Sequence, residues 1–205
     1  MVLVKICGLT TVEDALAAAR LGADMLGLVF AASPRQVTPL RAREIVRALP
    51  RWVQAVGVFV DAPRQEVQRV RAFCGLHLVQ LHGRESADDV AALGPGVIKA
   101  IRMGEDAELN HRAYPRATLL LDAYAPGRPG GTGRSFDWSR AIDLARRRPV
   151  ILAGGLNPAN VAPAVEIVKP YAVDVSSGVE SQPGRKDHDQ IASFIARAKG
   201  LVVPA

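Results

Sequence analysis

Short apolar segments alternate with amphipathic segments along almost the whole chain. The apolar runs are bounded by glycine, proline and polar residues, which is typical of strands in βα units and of a parallel sheet buried on both faces. Eight strands are predicted at residues 2–7, 25–30, 55–60, 78–81, 97–101, 118–122, 150–153 and 172–175.

The segments between these strands have the three-to-four-residue spacing of helices. The first helix is predicted to begin after Thr11, with Asp14 placed for a capping box, and to end at Gly22. The second begins at Thr38-Pro39, a capping residue followed by proline at the first helical position, and ends before Pro50. Further helices are expected after Pro63, Ser86, Asp137, Pro158 and Asp187, with a short one between Ile101 and Thr118.

Eight βα units can close into a barrel or remain an open doubly wound sheet, and periodicity alone does not choose between them. The first strand lacks a following Gly-x-Gly-x-x-Gly turn, and polar and glycine residues follow nearly every strand instead. That distribution favours a (β/α)8 barrel, whose active face lies at the carboxyl ends of its strands. At 205 residues without a linker, one domain with trimmed loops is predicted over residues 1–205.

Composition narrows the classes of function. Apolar residues make up 49% of the chain and charged residues 22%, which suits a globular core. Two cysteines are too few for a disulfide scaffold, and their spacing does not suit zinc. The net charge of +6 suits an anionic small substrate better than nucleic acid, because the basic residues form no single block. With no signal peptide and no long apolar stretch, we expect a cytoplasmic protein without membrane contacts.

Cys7 ends the first strand and precedes Gly8, in a position that is catalytic in many barrels. A thiol acts as base or nucleophile when its pKa of about 8.5 is lowered toward neutrality by a nearby cation. Lys5 lies two residues earlier on the same strand face and is also a candidate for binding substrate. The alternative for Cys7 is a small buried hydrophobe, the role assigned to Cys74 on its apolar helix face.

Asp122 ends the apolar sixth strand and precedes a long loop. A partly desolvated carboxyl group in that position can act as a general acid, although a cap or ion-pair partner is an equal alternative. Together with Cys7 across a barrel mouth, it supplies the acid and the base that proton transfer between adjacent carbons needs.

Two later turns have the chemistry of a phosphate site. Gly154 and Gly155 follow strand seven, and Ser176, Ser177 and Gly178 follow strand eight. Glycines let backbone N–H groups approach an anion, hydroxyls add donors, and a short helix from Ser177 would add its positive end. Barrels often bind phosphate at this pair of loops.

Other polar residues near strand ends are candidates for binding substrate. Arg35 follows a proline-stiffened turn and can grip a carboxylate through its planar fork. Gln80 and His82 close strand four, where a single histidine orients substrate more often than it reacts. A glycine-rich loop after strand six is a candidate for closure over ligand through Gly131, Gly133 and Arg134. The sequence contains no acidic cluster for a metal and no nicotinamide or flavin fingerprint.

Taken together, these segments resemble the phosphoribosylanthranilate isomerase family of tryptophan biosynthesis. The resemblance rests on the following pieces, which run in family order over nearly the whole chain: residues 5–8, 33–35, 57–59, 80–83, 121–122, 130–133, 154–156, 174–180 and 183–187. The one departure is Arg134, which stands where the family often has lysine.

The resemblance implies an Amadori rearrangement of N-(5-phosphoribosyl)anthranilate to 1-(2-carboxyphenylamino)-1-deoxyribulose 5-phosphate, without a cofactor. It implies that Asp122 is the general acid, Cys7 the general base, and Arg35 the partner of the anthranilate carboxylate. Asp174 corresponds to a further substrate-site carboxylate. The phosphate is expected at Gly154, Gly155, Ser176, Ser177 and Gly178, and the chain is expected to be a monomer or homodimer.

Three alternatives remain open. A histidine-pathway aminoaldose isomerase runs the same chemistry with two aspartates, so the thiol at Cys7 argues against it. A non-catalytic phosphosugar-binding barrel would not need both Cys7 and Asp122. A nucleic-acid-binding domain would show strongly salt-dependent binding.

Overall fold

A computed structural model describes residues 1–103, 111–123 and 139–201 of the chain. Eight parallel strands form one closed barrel in the order in which they occur in the sequence. The strands are β1 (Leu3–Cys7), β2 (Met25–Val29), β3 (Gln54–Phe59), β4 (Leu78–Leu81), β5 (Val97–Met103), β6 (Thr118–Ala123), β7 (Val150–Leu152) and β8 (Ala172–Val175). The predicted barrel is therefore confirmed, and each predicted strand lies within two residues of its observed bounds.

Helices surround the barrel. In the described residues they are α1 (Val12–Arg20), α2 (Pro39–Ala48), α3 (Arg64–Cys74), α4 (Ala87–Ala92), α5 (Ser139–Arg147), α6 (Val161–Val168) and α7 (His188–Lys199). A 3-10 turn at Ser177–Val179 and a hairpin of β9 (Glu180–Gln182) and β10 (Arg185–Lys186) lie between β8 and α7. None of the described helices is long and apolar enough to cross a membrane.

The turn and cap residues act largely as their sequence predicts. Thr38 caps α2 by accepting a hydrogen bond from the backbone N–H of Arg41, with Pro39 in the first turn. At α1, Thr11 accepts from the N–H of Asp14, but the Asp14 carboxylate does not return to Thr11. It accepts instead from the backbone N–H of Lys186, at 3.2 Å, and pairs with His188. A tertiary contact has thus replaced half of the predicted capping box.

Other local predictions differ by a few residues. Helix α6 begins at Val161 rather than directly after Pro158, because residues 158–160 form a turn; Asn160 is the N-cap residue, but its side chain accepts from the N–H of Asn157 and donates to the carbonyl of Gly155. Cys74 is buried at the end of α3 and its thiol donates to the carbonyl of Pro39, as expected for a structural cysteine. Within the segment predicted as a short helix before β6, residues 104–110 lie outside the described residues and residues 111–112 are helical; Asp137, before α5, also lies outside the described residues.

Two apolar layers separate the inside of the barrel from its outside. The larger layer lies between the strands and the helices and includes Ile6, Leu26 and Phe194. The smaller layer fills the barrel interior and consists of Met25, Val56, Ile98, Ala100, Leu120, Ile151, Ala153 and Ala172. Because side chains alternate between the two faces of a strand, the residues two positions beyond this inner layer point inward as well, at the carboxyl ends of the strands.

Candidate active site

A cavity of about 200 Å³ opens at the carboxyl ends of the strands, directly above the apolar interior. It brings together residues from six strands and from the turns after β2, β4, β7 and β8: Cys7, Val29, Ser33, Arg35, Val58, Gln80, His82, Asp122, Ala153, Gly154, Gly155, Leu156, Asp174, Val175, Ser176 and Ser177. Closure of the barrel places these residues side by side although they span most of the sequence.

A larger cavity of about 530 Å³ lies beside α1 and the β9–β10 hairpin. Its principal charged groups already have partners, since Asp14 binds His188 and Lys186 is turned inward to Glu180. It contains neither a thiol nor a pair of glycine turns. The smaller cavity is therefore the candidate active site.

Cys7 lies on one wall of this cavity, with 8% of its surface exposed. Beneath it the fully buried ammonium group of Lys5 donates to Asp174 Oδ1 at 2.8 Å. Burial raises the pKa of the Cys7 thiol above its usual value, while the charges of Lys5 and Lys186 act in the opposite direction and Asp174 adds to the rise. From the sequence, a catalytic Cys7 would need a cation to lower this pKa, and Lys5 was the candidate. The cation is present, but burial outweighs it.

Asp122 lies at the end of β6 and is largely buried. His82 Nε2 lies 3.1 Å from Asp122 Oδ2, and Gln80 Nε2 lies 3.0 Å from His82 Nδ1. With the carboxyl proton of Asp122 on Oδ1, Oδ2 is a hydrogen-bond acceptor, so a His82 ring that carries its hydrogen on Nε2 donates to Oδ2 and accepts from the Gln80 amide at Nδ1. Among the described residues no group donates to Asp122 Oδ1. This oxygen is therefore the one available for proton transfer.

Arg35 extends from the turn after β2 to the mouth of the cavity. Its Nε and Nη2 donate to the two carboxylate oxygens of Glu180, at 2.8 and 2.7 Å. Lys186 donates to Glu180 Oε1 at 2.7 Å and to the carbonyl of Ser176 at 3.0 Å. Burial acts to raise the pKa of Glu180, but the hydrogen bonds from Arg35 and Lys186 outweigh it and hold the pKa below its usual value.

This clamp fixes one edge of the Arg35 guanidinium and leaves the other edge, with Nη1, free of acceptors from the described residues. The stem of Arg35 packs over Gly8, where a Cβ atom would lie 2.5 Å from Arg35 Cδ. Gly8 has a φ of +76°, so both its backbone and its surroundings exclude a side chain. A planar donor edge is thereby held rigidly at the cavity.

The two glycine-containing turns after β7 and β8 both line the cavity and lie side by side. Gly154 and Gly155 have φ values of +88° and +69°, which bend the backbone sharply after β7. Gly178 does not line the cavity; a Cβ atom there would lie only 2.0 Å from the carbonyl oxygen of Leu156. The missing side chain lets the two turns touch. The 3-10 turn from Ser177 is three residues long, so its contribution is backbone N–H groups rather than the predicted helix dipole.

A buried ion pair supports the turn that carries His82. Glu85 accepts from the backbone N–H groups of Asp61 and Gly83, each at about 3.0 Å, and from Lys99 Nζ at 2.7 Å. Lys99 also donates to the carbonyl of Gly83 at 2.7 Å. The pair thus satisfies the polar groups of two neighbouring turns and holds them together.

Most of the site residues predicted from sequence meet in this cavity, but three groups differ. Lys5 lies below its floor and touches Asp174 rather than the cavity, and Gly178 lies behind its wall. Gly131, Gly133 and Arg134 lie outside the described residues.

Glu180 and Lys186 were missed as site residues. The sequence shows them only as parts of longer polar segments, because Arg35 and Glu180 are 145 positions apart and nothing local connects them. In the described part of the chain, no group of three or more His, Cys, Asp or Glu residues is arranged to hold a metal ion.

The geometry combines three chemical functions in one cavity. A carboxyl group, a thiol and the guanidinium group of Arg35 line the cavity, together with the glycine and serine residues of two turns. The arrangement suits a substrate with a phosphate at one end, a carboxylate at the other and an exchangeable proton between them.

Comparisons with known proteins agree with this chemistry. The family model described as "N-(5'phosphoribosyl)anthranilate (PRA) isomerase" matches residues 4–197. The isomerase of that name from Geobacter sulfurreducens is 52% identical over 202 residues, covering 98% of this chain and 100% of the relative.

Solved structures give the same match in three dimensions. The phosphoribosyl anthranilate isomerase of Thermotoga maritima is 43% identical with a TM-score of 0.93, covering 98% of this chain and 100% of that one. A second solved phosphoribosyl anthranilate isomerase, in complex with reduced 1-(o-carboxyphenylamino)-1-deoxyribulose 5-phosphate, is 42% identical with a TM-score of 0.88 and the same coverage.

Proposed function

The chain belongs to the N-(5'-phosphoribosyl)anthranilate isomerase family, and we propose that its own residues perform the rearrangement with Asp122 as general acid and Cys7 as general base. It is an isomerase of tryptophan biosynthesis that converts an aminoaldose phosphate into an aminoketose phosphate. The observation that carries the residue assignment is the meeting of Cys7 and Asp122 in one cavity with the two glycine turns.

The first step opens the ribose ring. Asp122 Oδ1 donates a proton to the ring oxygen, the bond between that oxygen and C1 breaks, and the nitrogen lone pair forms a protonated Schiff base at C1. The carboxylate left on Asp122 is stabilised by the hydrogen bond from His82 Nε2 to Oδ2, which strengthens as the negative charge develops. Through this hydrogen bond His82 favours loss of the proton from Asp122 without itself contacting the ring oxygen.

The second step moves a proton from C2. The Cys7 thiolate removes it, and the electron pair of the C–H bond shifts to form an enolamine while the Schiff base nitrogen becomes neutral. Tautomerisation places a proton on C1 and leaves the ketone at C2. The reaction is internally balanced, so no external oxidant or reductant is consumed.

Substrate binding uses the two ends of the cavity. We place the phosphate at the turns of Gly154, Gly155, Ser176 and Ser177, where backbone N–H groups and hydroxyls converge. The anthranilate carboxylate is assigned to the free edge of Arg35, which Glu180 orients. Fixing both ends holds C2 between the acid and the base, which is worth several orders of magnitude in rate.

The assignment is tested with the purified chain and N-(5'-phosphoribosyl)anthranilate, following the loss of the fluorescence of the anthranilate adduct. We expect turnover without added metal or cofactor and one equivalent of aminoketose as product. A protein that binds the substrate, is folded by circular dichroism and shows no turnover is a phosphosugar-binding barrel, and that result would overturn the catalytic assignment. The oligomeric state, monomer or homodimer, and a cytoplasmic location stay predictions.

A further inference from the structure

The Lys5 ammonium group is buried directly under the active-site thiol. Its side chain has no exposed surface, and Nζ donates to Asp174 Oδ1 at 2.8 Å. Lys5 and Cys7 lie on the same inward face of β1, and Asp174 is the register partner of Lys5 on β8. Burying a charged group costs desolvation free energy, which a nearby opposite charge offsets. The ammonium group of Lys5 is therefore expected to have a role beneath the cavity floor.

Gly27 on β2 explains how the sulfur and the ammonium approach each other. Gly27 is the register partner of Cys7, and a Cβ atom there would lie 2.7 Å from Cys7 Sγ and 3.0 Å from Lys5 Nζ. Its φ is not positive, so the backbone itself does not require glycine. Both atoms occupy the space that a side chain would fill, and therefore no side chain from β2 separates them.

The charges around the sulfur act in opposite directions on its ionisation. Lys5 and Lys186 favour a thiolate at Cys7, and Asp174 opposes it. Arg35 also faces Cys7, but its charge is paired with Glu180. Asp122 and His82 line the same cavity and are bonded to each other. Burial acts to lower the pKa of Lys5, but Asp174 and a Cys7 thiolate together outweigh it, so Lys5 stays charged.

We propose that Lys5 is a positioning residue that stabilises the Cys7 thiolate through the gap at Gly27, and that Asp174 limits how much of this stabilisation reaches the sulfur. This deepens the proposed function, because it rests on Cys7 as the base. It assigns Lys5 and Gly27 a role in the reaction without substrate contact. In the free enzyme, the charge of Asp174 lowers the fraction of Cys7 that is ionised.

The proposal predicts effects of opposite sign for the two members of one ion pair. Lys5→Met removes the cation, so the thiolate becomes harder to form. Asp174→Asn removes the opposing anion and keeps a side chain of the same shape, so the thiolate becomes easier to form. A purely structural ion pair would loosen in both variants and would not shift the ionisation of Cys7 in opposite directions.

The experiment measures ionisation of Cys7 without turnover. The chain has two cysteines, so all variants are made in a Cys74→Ala background. The rate of alkylation by iodoacetamide and the ultraviolet absorbance of the thiolate are followed against pH. At pH near 8 we expect alkylation to slow about tenfold in Lys5→Met and to accelerate several-fold in Asp174→Asn, since a tenfold change corresponds to about one pKa unit.

Two further variants separate charge from packing. Gly27→Ala changes no charge but forces Sγ and Nζ apart, and we expect it to slow alkylation as Lys5→Met does. Lys99→Met is the matched control, because Lys99 is another buried lysine paired with a carboxylate, Glu85. It should lower the free energy of unfolding and leave the alkylation profile of Cys7 unchanged.

The outcomes distinguish this proposal from the proposed function. Unchanged alkylation in Lys5→Met, or slower alkylation in Asp174→Asn, overturns the role of Lys5 and Asp174. If Lys5→Met does not fold, Asp174→Asn and Gly27→Ala decide the matter by the same criteria. Normal turnover by Cys7→Ser, together with the expected alkylation shifts, would remove Cys7 from catalysis and leave its coupling to Lys5 intact.

Discussion

Cys7 and Asp122 are the two residues whose substitution is expected to lower kcat most. Among the described residues Cys7 is the only thiol that lines the cavity. Asp122 accepts a hydrogen bond from His82 at Oδ2, and no described residue donates to its Oδ1. We therefore expect Cys7→Ser and Asp122→Asn each to lower kcat at least about 100-fold, because each removes one proton-transfer group.

Binding should survive both substitutions. KM, or better the Kd of a product analogue, is expected to change by less than about threefold, since the phosphate turns and Arg35 are untouched. Steady-state kinetics on both variants checks this. A variant with near wild-type kcat would exclude its residue from the mechanism.

The pKa of Cys7 also predicts how the rate depends on pH. Burial raises that pKa, so at neutral pH most of the free enzyme holds the thiol form, which does not act as a base. Below the pKa the thiolate fraction grows about tenfold with each pH unit. The thiolate fraction therefore rises through neutral pH toward the alkaline range, and we expect kcat/KM to follow it, up to the ionisation of Cys7, wherever Asp122 still carries the proton that it donates.

The measurement is kcat/KM between about pH 6 and pH 10, with chain stability monitored in parallel. Cys7→Asp serves as the comparison, because a carboxylate is already ionised at neutral pH. The alkaline rise in kcat/KM should therefore be absent from the profile of this variant. An alkaline limb in Cys7→Asp equal to that of the wild-type enzyme would mean that the ionisation of Cys7 does not set the pH dependence of kcat/KM.

At the scale of elements, the two turns after β7 and β8 work as one unit because Gly178 lets them touch. A Cβ atom at Gly178 would lie 2.0 Å from the carbonyl of Leu156, so alanine must push the turns apart. We expect Gly178→Ala to raise KM at least about tenfold, with a smaller effect on kcat, because the displaced groups are those proposed to bind the phosphate.

Gly94→Ala is the control for this substitution. Gly94 has a φ of +73°, but nothing lies within 4 Å of a Cβ placed there. Alanine at Gly94 should therefore cost about 1 kcal/mol of stability through backbone strain and leave KM unchanged. Equal effects of both variants on KM would show that the contact between the turns is not what shapes the site.

The Glu85–Lys99 pair stabilises another pair of turns, those after β3 and β4. Both side chains are more than nine-tenths buried, and Glu85 also accepts from two backbone N–H groups. Glu85→Ala leaves the Lys99 charge buried without its partner, which typically costs about 3–5 kcal/mol. We expect a loss of that size in the free energy of unfolding by urea.

A surface pair provides the comparison. Glu44 pairs with Arg41 on α2, with 62% of the Glu44 side chain exposed, so Glu44→Ala should cost less than about 1 kcal/mol. Glu85→Ala should also lower kcat in the remaining folded protein, because the turn carrying His82 loses its support. A cost as small as that of Glu44→Ala would mean that water replaces the buried pair.

At the scale of the whole molecule, we expect closure of the barrel to couple anion binding to folding. The turns proposed to bind phosphate follow β7 and β8, and β8 pairs with β1, so these turns come together at the cavity only when the ends of the sheet meet. A ligand that binds only the folded chain at ten times its Kd adds about 1.4 kcal/mol. For a domain of this size that corresponds to an increase in Tm of roughly 3–6 °C.

Inorganic phosphate is the probe, with sodium chloride at equal ionic strength as the control. We expect phosphate to raise Tm more than chloride does, and Gly178→Ala to abolish the difference. Equal effects of the two salts would show that the net charge of +6, rather than a built site, attracts the anion.

The sequence by itself determined the elements and their order. Apolar runs define the strands, Thr38-Pro39 and Thr11 begin helices, and glycine after a helix ends it, because these effects act over a few neighbouring residues. The position of Cys7 and Asp122 at strand ends was equally visible, since the barrel places all carboxyl ends on one face.

The tertiary structure alone decided the partners of the charged groups. Lys5 meets Asp174 across 169 positions and Arg35 meets Glu180 across 145, contacts that arise only when β8 closes against β1 and the hairpin folds over the barrel mouth. It also decided the state of Cys7. The sequence showed a cation nearby, but the balance between that cation, Asp174 and burial depends on distances and solvent exclusion, which only the closed barrel fixes.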